Sequence, residues 1–82
     1  MTMQRREKVL TVNGKGRQVM TPAEARNNGF RQMTSAYQAE GEFWMMENVA
    51  QDMDRANKEL VVVPSRDPHG KECGDWWEIW KR

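Results

Sequence analysis

The longest run of apolar residues at helical spacing lies between residues 42 and 58. Met46, Val49, Ala50 and Met53 recur at intervals of three or four residues and share one sector of a helical wheel. Acidic residues lie toward the start of this segment and basic residues toward its end, as the helix dipole favours. The pattern predicts one long amphipathic helix over residues 42–58.

The apolar residues before this segment have a different phase. Phe30, Met33 and Tyr37 fall on the opposite side of the same wheel, so a continuous helix would have to change faces near Gly41. We therefore predict an extended segment or strand over residues 30–37. A helical hairpin broken at Gly41 is the alternative.

Residues 8–20 have the composition of a β-hairpin, in which strand-forming residues flank a turn cluster that starts at Asn13. A two-residue loop would place Leu10 opposite Arg17, whereas a four-residue loop would place Leu10 opposite Val19. Pairing of apolar with apolar residues favours the four-residue loop.

A short helix is predicted directly after the hairpin. Thr21 is a suitable N-cap, Pro22 suits the first helical position, and Glu24 completes a capping box. The helix is expected to stop at Asn28, with Gly29 as its C-terminal cap.

The C-terminal third predicts two strands. Residues 60–63 form an apolar run ended by Pro64, residues 65–74 form a loop, and residues 75–82 pair with residues 60–63. The expected fold class is α+β, with an N-terminal β-hairpin, a short capped helix, and one long amphipathic helix packed on a small, mainly antiparallel sheet. We expect residues 1–82 to form a single small domain with residues 1–7 as a flexible N-terminus.

Composition narrows the class of protein. The mean hydropathy is −0.96 and the formal net charge is +1, and seven Met and four Trp supply apolar volume that Leu and Ile do not. No apolar run is long enough for a transmembrane helix, and no secretory signal is recognisable. Cys73 is the single cysteine, so no internal disulfide is expected and a cytoplasmic location is the simplest interpretation.

The C-terminal tryptophans suggest binding. Strand alternation places Trp77 and Ile79 on an inner face and leaves Trp76 and Trp80 partly exposed near two basic residues. Trp and Arg are enriched in binding hot spots, and carboxylates on the long helix add an acidic face. The predicted partner-binding residues are Trp76, Trp80, Lys81, Arg82, Trp44, Met45, Glu47 and Asp54.

These features favour a non-enzymatic protein-binding module, an inhibitor or adaptor that resembles small accessory proteins of bacteria and phages. The partner is another protein, and a homodimer formed through the Trp strand is a variant.

The alternative is weak nucleic-acid binding. Residues 1–41 contain seven basic and three acidic residues, and basic side chains along the hairpin could contact phosphates. The candidates are Arg5, Arg6, Lys8, Lys15 and Arg17. No recognised nucleic-acid motif accompanies them, and residues 42–82 contain nine acidic and six basic residues, so this alternative ranks second.

Catalytic and metal chemistry have little support. The loop that holds Ser65, Asp67, His69 and Cys73 has nucleophile and base types, but such groups normally come from separate elements. One Cys and one His are too few for a structural zinc site. We expect no enzymatic activity, no metal and no cofactor.

Overall fold

The fold is α+β and combines a small antiparallel sheet with two helices, in a computed structural model that describes residues 9–38, 40–66 and 72–82. No helix in these ranges is long and apolar enough to span a bilayer. In chain order the elements are β1 (Val9–Val12), β2 (Lys15–Gln18), α1 (Pro22–Asn27), β3 (Arg31–Gln32), β4 (Tyr37–Gln38), α2 (Phe43–Arg55), β5 (Leu60–Arg66) and β6 (Glu72–Lys81).

Strand β6 is the centre of the main sheet. It pairs along one edge with β5, and along its other edge with the two short strands β3 and β4, all antiparallel. Val19, just after β2, makes a parallel bridge to Val62 on the outer edge of β5. The expected pairing of the two C-terminal strands is therefore confirmed, with Val62 opposite Ile79.

A first core lies between the sheet and α2. Met46 and Ala50 are fully buried on the inner face of the helix. They pack with Trp77 and Ile79 of β6 and with Val12 of β1. The prediction that Trp77 and Ile79 face inward is confirmed, because the pleat of β6 sends both side chains toward this helix.

A second core lies on the opposite face of the sheet. Trp80 is 5% exposed and packs with Val63 of β5, Ala25 of α1 and Phe30. The expectation of a partly exposed Trp80 was wrong, because we assumed that only one sheet face would be covered. The indole N–H of Trp80 donates to a carboxylate oxygen of Glu78 at 2.8 Å, so the polar atom of the buried ring is satisfied.

The turn between β1 and β2 contains two residues. Leu10 lies opposite Arg17 and Val12 opposite Lys15, so the expected four-residue loop was wrong. Asn13 and Gly14 have φ values of 55° and 73°, the left-handed conformations that two-residue hairpin turns require. In this register Arg17 lies on the same face of the hairpin as the buried Val12, and it is buried as well.

Helix α1 begins as predicted. The Thr21 hydroxyl accepts from the Glu24 backbone N–H at 3.1 Å, and the Glu24 carboxylate accepts from the Thr21 N–H at 3.0 Å. Asn28 is the C-cap and Gly29 follows with φ 87°. The capping box and the left-handed glycine therefore set both ends of the helix.

Helix α2 is shorter than expected. It ends at Arg55, because Asn57 adopts φ 59° and the Lys58 N–H donates back to the Met53 carbonyl at 2.9 Å. The predicted extension to residue 58 was wrong. Lys58 therefore lies outside the helix.

The segment before α2 is extended in two places. Its ends are β3 and β4, and between them the Thr34 hydroxyl accepts from the Ile79 N–H at 3.3 Å. The alternative of a helical hairpin was wrong. The predicted extended segment or strand over residues 30–37 contains two short strands, and the residues between β3 and β4 are not part of a strand.

The predicted boundaries of the C-terminal loop were wrong at both ends. Strand β5 continues through Pro64 to Arg66, with a register irregularity between these two residues, and β6 already begins at Glu72. Proline removes one ladder donor, and an irregular register at that point accommodates the loss. The middle of the loop, residues 67–71, and the predicted flexible residues 1–7 lie outside the described residues.

Substitutions of Trp76 and Trp80, which lie on the same face of β6, are expected to differ in their effect on stability. Trp80→Ala should lower the free energy of unfolding by about 3–5 kcal/mol, because it empties the second core. Trp76→Ala should cost about 1 kcal/mol, because that side chain is 37% exposed. Urea denaturation followed by circular dichroism measures both, and equal losses would contradict the position of Trp80 in a core.

Candidate functional site

A cluster of polar side chains joins the β1–β2 turn to α2. Two nitrogens of Arg17 contact the two carboxylate oxygens of Asp54 at 2.7 and 3.1 Å. The Asn13 side-chain amide donates to the same carboxylate at 2.8 Å, and the Arg17 Nε–H donates to the Val12 carbonyl at 3.1 Å. We call Asn13, Arg17 and Asp54 the turn–helix cluster.

The turn–helix cluster is held by charge and is largely shielded from solvent. The Arg17 side chain is 8% exposed and that of Asp54 is 15% exposed. Hydrogen bonds from Arg17 and Asn13 lower the pKa of Asp54 from 3.8 to about 2 and outweigh the opposing effect of burial. Bidentate pairing of Arg with a carboxylate fixes direction as well as distance, so the cluster orients the hairpin against α2.

Two predicted binding residues are therefore engaged inside the fold. Asp54 was expected on an exposed acidic face together with Glu47, and that was wrong, because its carboxylate faces the hairpin. Arg17 was a candidate for phosphate contacts, and it is buried as the partner of that carboxylate. Lys15 lies 3.7 Å from Asp54 with 63% of its side chain exposed, so of these residues it alone keeps substantial access to solvent.

The C-terminal arginine is also engaged. The Arg82 Nε–H donates to Glu59 at 2.6 Å, another guanidinium N–H donates to the Asn28 carbonyl, and the guanidinium lies 4.5 Å from the centroid of the Phe30 ring. The contact with Arg82 lowers the pKa of Glu59. Arg82 was predicted to bind a partner, but its described contacts close the C-terminal end of α1 onto the start of β5.

A shallow groove of about 760 Å³ runs between these two arginines, along β2 and the start of β5. Its walls include cations such as Lys15 and Lys58 and the carboxylates Asp54 and Glu59. Because both carboxylates already have arginine partners, the groove is a mixed polar surface.

The exposed aromatic residues lie elsewhere. Trp44, in the first turn of α2, is 60% exposed and Trp76, in β6, is 37% exposed. Met45 is half-buried next to Trp44. We call Trp44, Met45 and Trp76 the Trp surface residues.

The backbone brings Trp44 and Trp76 to neighbouring elements. Gln38 of β4 is the register partner of Trp76, and its carbonyl accepts from the Glu42 N–H at 2.9 Å, two residues before Trp44. The start of α2 and strand β6 therefore both adjoin β4, and strand alternation puts Trp76 on the sheet face opposite α2. Sequence analysis singled out each of them but did not foresee the pairing of β4 with β6, which makes their elements neighbours.

The remaining predicted residues have varied positions. Glu47 and Lys81 are half-buried, and Trp80 belongs to the second core. Arg5, Arg6 and Lys8 lie outside the described residues, as do Asp67 and His69 of the loop, and the Cys73 side chain is likewise not described. Among the described side chains, no three of the His, Cys, Asp and Glu type come together as a metal site would need.

Asn13 is the functional residue that sequence reasoning missed. It was considered only as a turn former, although an Asn-Gly pair is the strongest signal for the two-residue loop that the structure has.

Comparisons with known proteins give no relative. No family model matches the chain, and neither a curated protein nor a solved structure matches it.

Removing the Asp54 carboxylate should destabilise the fold in a pH-dependent way. Asp54→Asn leaves the buried Arg17 without its charged partner and should cost about 2 kcal/mol at pH 7. Because the folded pKa of Asp54 is depressed to about 2, its contribution is complete above pH 3.8 and is lost as the pH falls toward 2. Urea denaturation of both proteins between pH 7 and pH 2 should show the difference narrowing below about pH 4.

Asp52→Asn is the matched control on the same helix. The Asp52 side chain is 69% exposed and lies 3.8 Å from an equally exposed Arg55, so its removal should have almost no effect. A similar loss from both substitutions, or a difference for Asp54→Asn that persists at pH 2, would contradict the role of the turn–helix cluster.

Proposed function

We propose that the protein is a non-enzymatic protein-binding module whose partner contacts the Trp surface residues. The observation that carries the proposal is the exposure of Trp44, at 60% of a large indole. Tryptophan is the side chain most enriched in interface hot spots, because it buries a large apolar area with few rotatable bonds.

Trp44 is presented on a rigid support. Met46 and Ala50 anchor the opposite side of α2 in the first core, so the helix does not need to reorganise when Trp44 is covered. A preorganised anchor lowers the entropic cost of association. An indole held in this way suits a partner with an apolar pocket.

The neighbouring residues suit the rim of such an interface. Met45 adds partly exposed apolar area next to Trp44, and Glu47 and Lys81 add charges of opposite sign at half-buried positions. Trp76 adds a second exposed indole on the sheet face opposite α2. Interfaces commonly surround an apolar anchor with polar residues of this kind.

The proposed binding surface contains fewer residues than the sequence analysis predicted. Trp80, Arg82 and Asp54 have their contacts within the fold, so their substitution would affect stability before it affected binding. We leave them out of the proposed surface. Self-association through the Trp surface residues is a variant of the same proposal, with a second copy of the chain as the partner.

Substitution of the two exposed tryptophans should abolish binding and leave the fold intact. The double variant Trp44→Ala/Trp76→Ala should lose at least tenfold in affinity, since hot-spot truncations cost about 2 kcal/mol or more. Light scattering over a concentration series measures self-association. Affinity capture followed by titration with the purified partner measures binding to another protein.

A matched variant of α2 controls for general surface effects. Asn48 and Gln51 are exposed on the same helix and carry no aromatic ring, so Asn48→Ala/Gln51→Ala should bind as the wild type does. Equal affinity for the tryptophan variant and this control would contradict the proposal. Binding to nucleic acid that weakens steeply with salt and ignores both tryptophans would favour the alternative function instead.

A further inference from the structure

The chain contains two Asn-Gly pairs, and the structure treats them differently. Asn13-Gly14 forms the β1–β2 turn and Asn28-Gly29 ends α1. Asparagine followed by glycine is the sequence most open to attack by the next backbone nitrogen on the side-chain amide, because glycine has no side chain to hinder the approach. The two pairs provide an internal comparison within one molecule.

The peptide between Asn28 and Gly29 is held at both of its polar atoms. The Gly29 N–H donates to the Arg26 carbonyl at 3.0 Å, and the Asn28 carbonyl accepts from the Arg82 guanidinium. The Asn28 amide also donates to the Glu24 carbonyl at 2.8 Å. The hydrogen bond to Arg26 therefore restrains the Gly29 nitrogen, which would have to attack the Asn28 side chain.

The peptide between Asn13 and Gly14 is open on the nitrogen side. Within the described part of the chain, no backbone carbonyl accepts the Gly14 N–H, and nothing lies within 4 Å of the place where a Cβ of Gly14 would be. The Asn13 side chain, which would be attacked, is the restrained group, because its amide donates to Asp54 at 2.8 Å. Among the described residues, the Gly14 nitrogen therefore has no carbonyl acceptor, and one hydrogen bond, to Asp54, holds the Asn13 side chain.

We propose that Asn13-Gly14 is a site of spontaneous deamidation whose rate is set by the hydrogen bond from Asn13 to Asp54. The Gly14 nitrogen loses its proton to solvent and attacks Cγ of Asn13. A C–N bond forms, ammonia leaves, and a cyclic imide remains. Water then opens either carbonyl of the ring, which gives aspartate or isoaspartate. No oxidant or reductant is needed, and the net change is the exchange of NH₂ for OH.

The product would alter the turn–helix cluster. A new carboxylate at position 13 would face Asp54 across the distance that the amide now bridges, with one buried Arg17 between them. Like charges at such a distance disfavour joint ionisation. Deamidation of Asn13 would therefore weaken the contact between the hairpin and α2. This inference does not depend on the proposed binding function.

The first test compares the two sites in the same sample. Trypsin releases residues 9–15 and 27–31 as separate peptides, and mass spectrometry of protein aged at pH 8 gives the rate of NH₂-to-OH exchange in each. Conversion at Asn13 should exceed that at Asn28 by about tenfold, since Gly29 must first break a backbone hydrogen bond. Equal rates, or faster conversion at Asn28, would overturn the proposal.

The second test removes the restraint. Asp54→Ala leaves no side-chain acceptor at position 54, so it should accelerate conversion at Asn13 about tenfold and leave Asn28 unchanged. Because this variant is also less stable, Val63→Ala serves as its control. Val63 is buried in the second core, away from the turn–helix cluster. The two variants are compared under conditions that give equal folded fractions in urea denaturation.

The control makes the result decisive. Wild-type rates at Asn13 in Val63→Ala, together with acceleration in Asp54→Ala, would support local control by Asp54. The same acceleration in both variants would show that conversion follows global unfolding, and it would overturn the proposal. Asn13→Asp supplies the product carboxylate directly and should be less stable than the wild type at pH 7, with the difference narrowing as acid protonates the carboxylate pair.

Discussion

The buried ion pair between Arg17 and Asp54 decides how the N-terminal hairpin meets the rest of the molecule. Desolvating a guanidinium is costly unless a carboxylate meets it in good geometry, and here two short contacts do so. In the two-residue turn Arg17 lies opposite Leu10, and its guanidinium reaches the Asp54 carboxylate on α2. The left-handed Asn13 then completes the pair as a second donor, so turn geometry and charge pairing support the same arrangement.

Strand β6 has a comparable role for the hydrophobic part of the fold. Its alternating side chains supply Trp77 and Ile79 to one core and Trp80 to the other, so a single strand links the packing of α2 with that of α1. A chain with little Leu can form two small cores in this way, because large aromatic residues bury much area per position. Trp44 belongs to neither core and is exposed on α2, where the proposed interface would use it.

Local rules predicted the parts of the fold that depend on neighbours in sequence. The capping box of Thr21, the stop at Gly29 and the alternation of Trp77 with Ile79 are of this kind. The errors concern long-range contacts: the burial of Arg17 depended on Asp54, 37 residues further along the chain, and the burial of Trp80 depended on α1. Likewise Trp44 and Trp76 could each be identified as binding candidates, but that their elements both adjoin β4 required knowledge of the sheet order.

The division of one sheet edge into β3 and β4 has a consequence for solubility. A long, flat edge strand offers a continuous row of donors and acceptors that a second chain can extend. Here each edge strand is two residues long, and three of the four residues, Arg31, Gln32 and Gln38, are exposed and polar. The interrupted edge covers β6 without offering a template for strand addition, which protects the most apolar strand pair of the molecule from edge-to-edge aggregation.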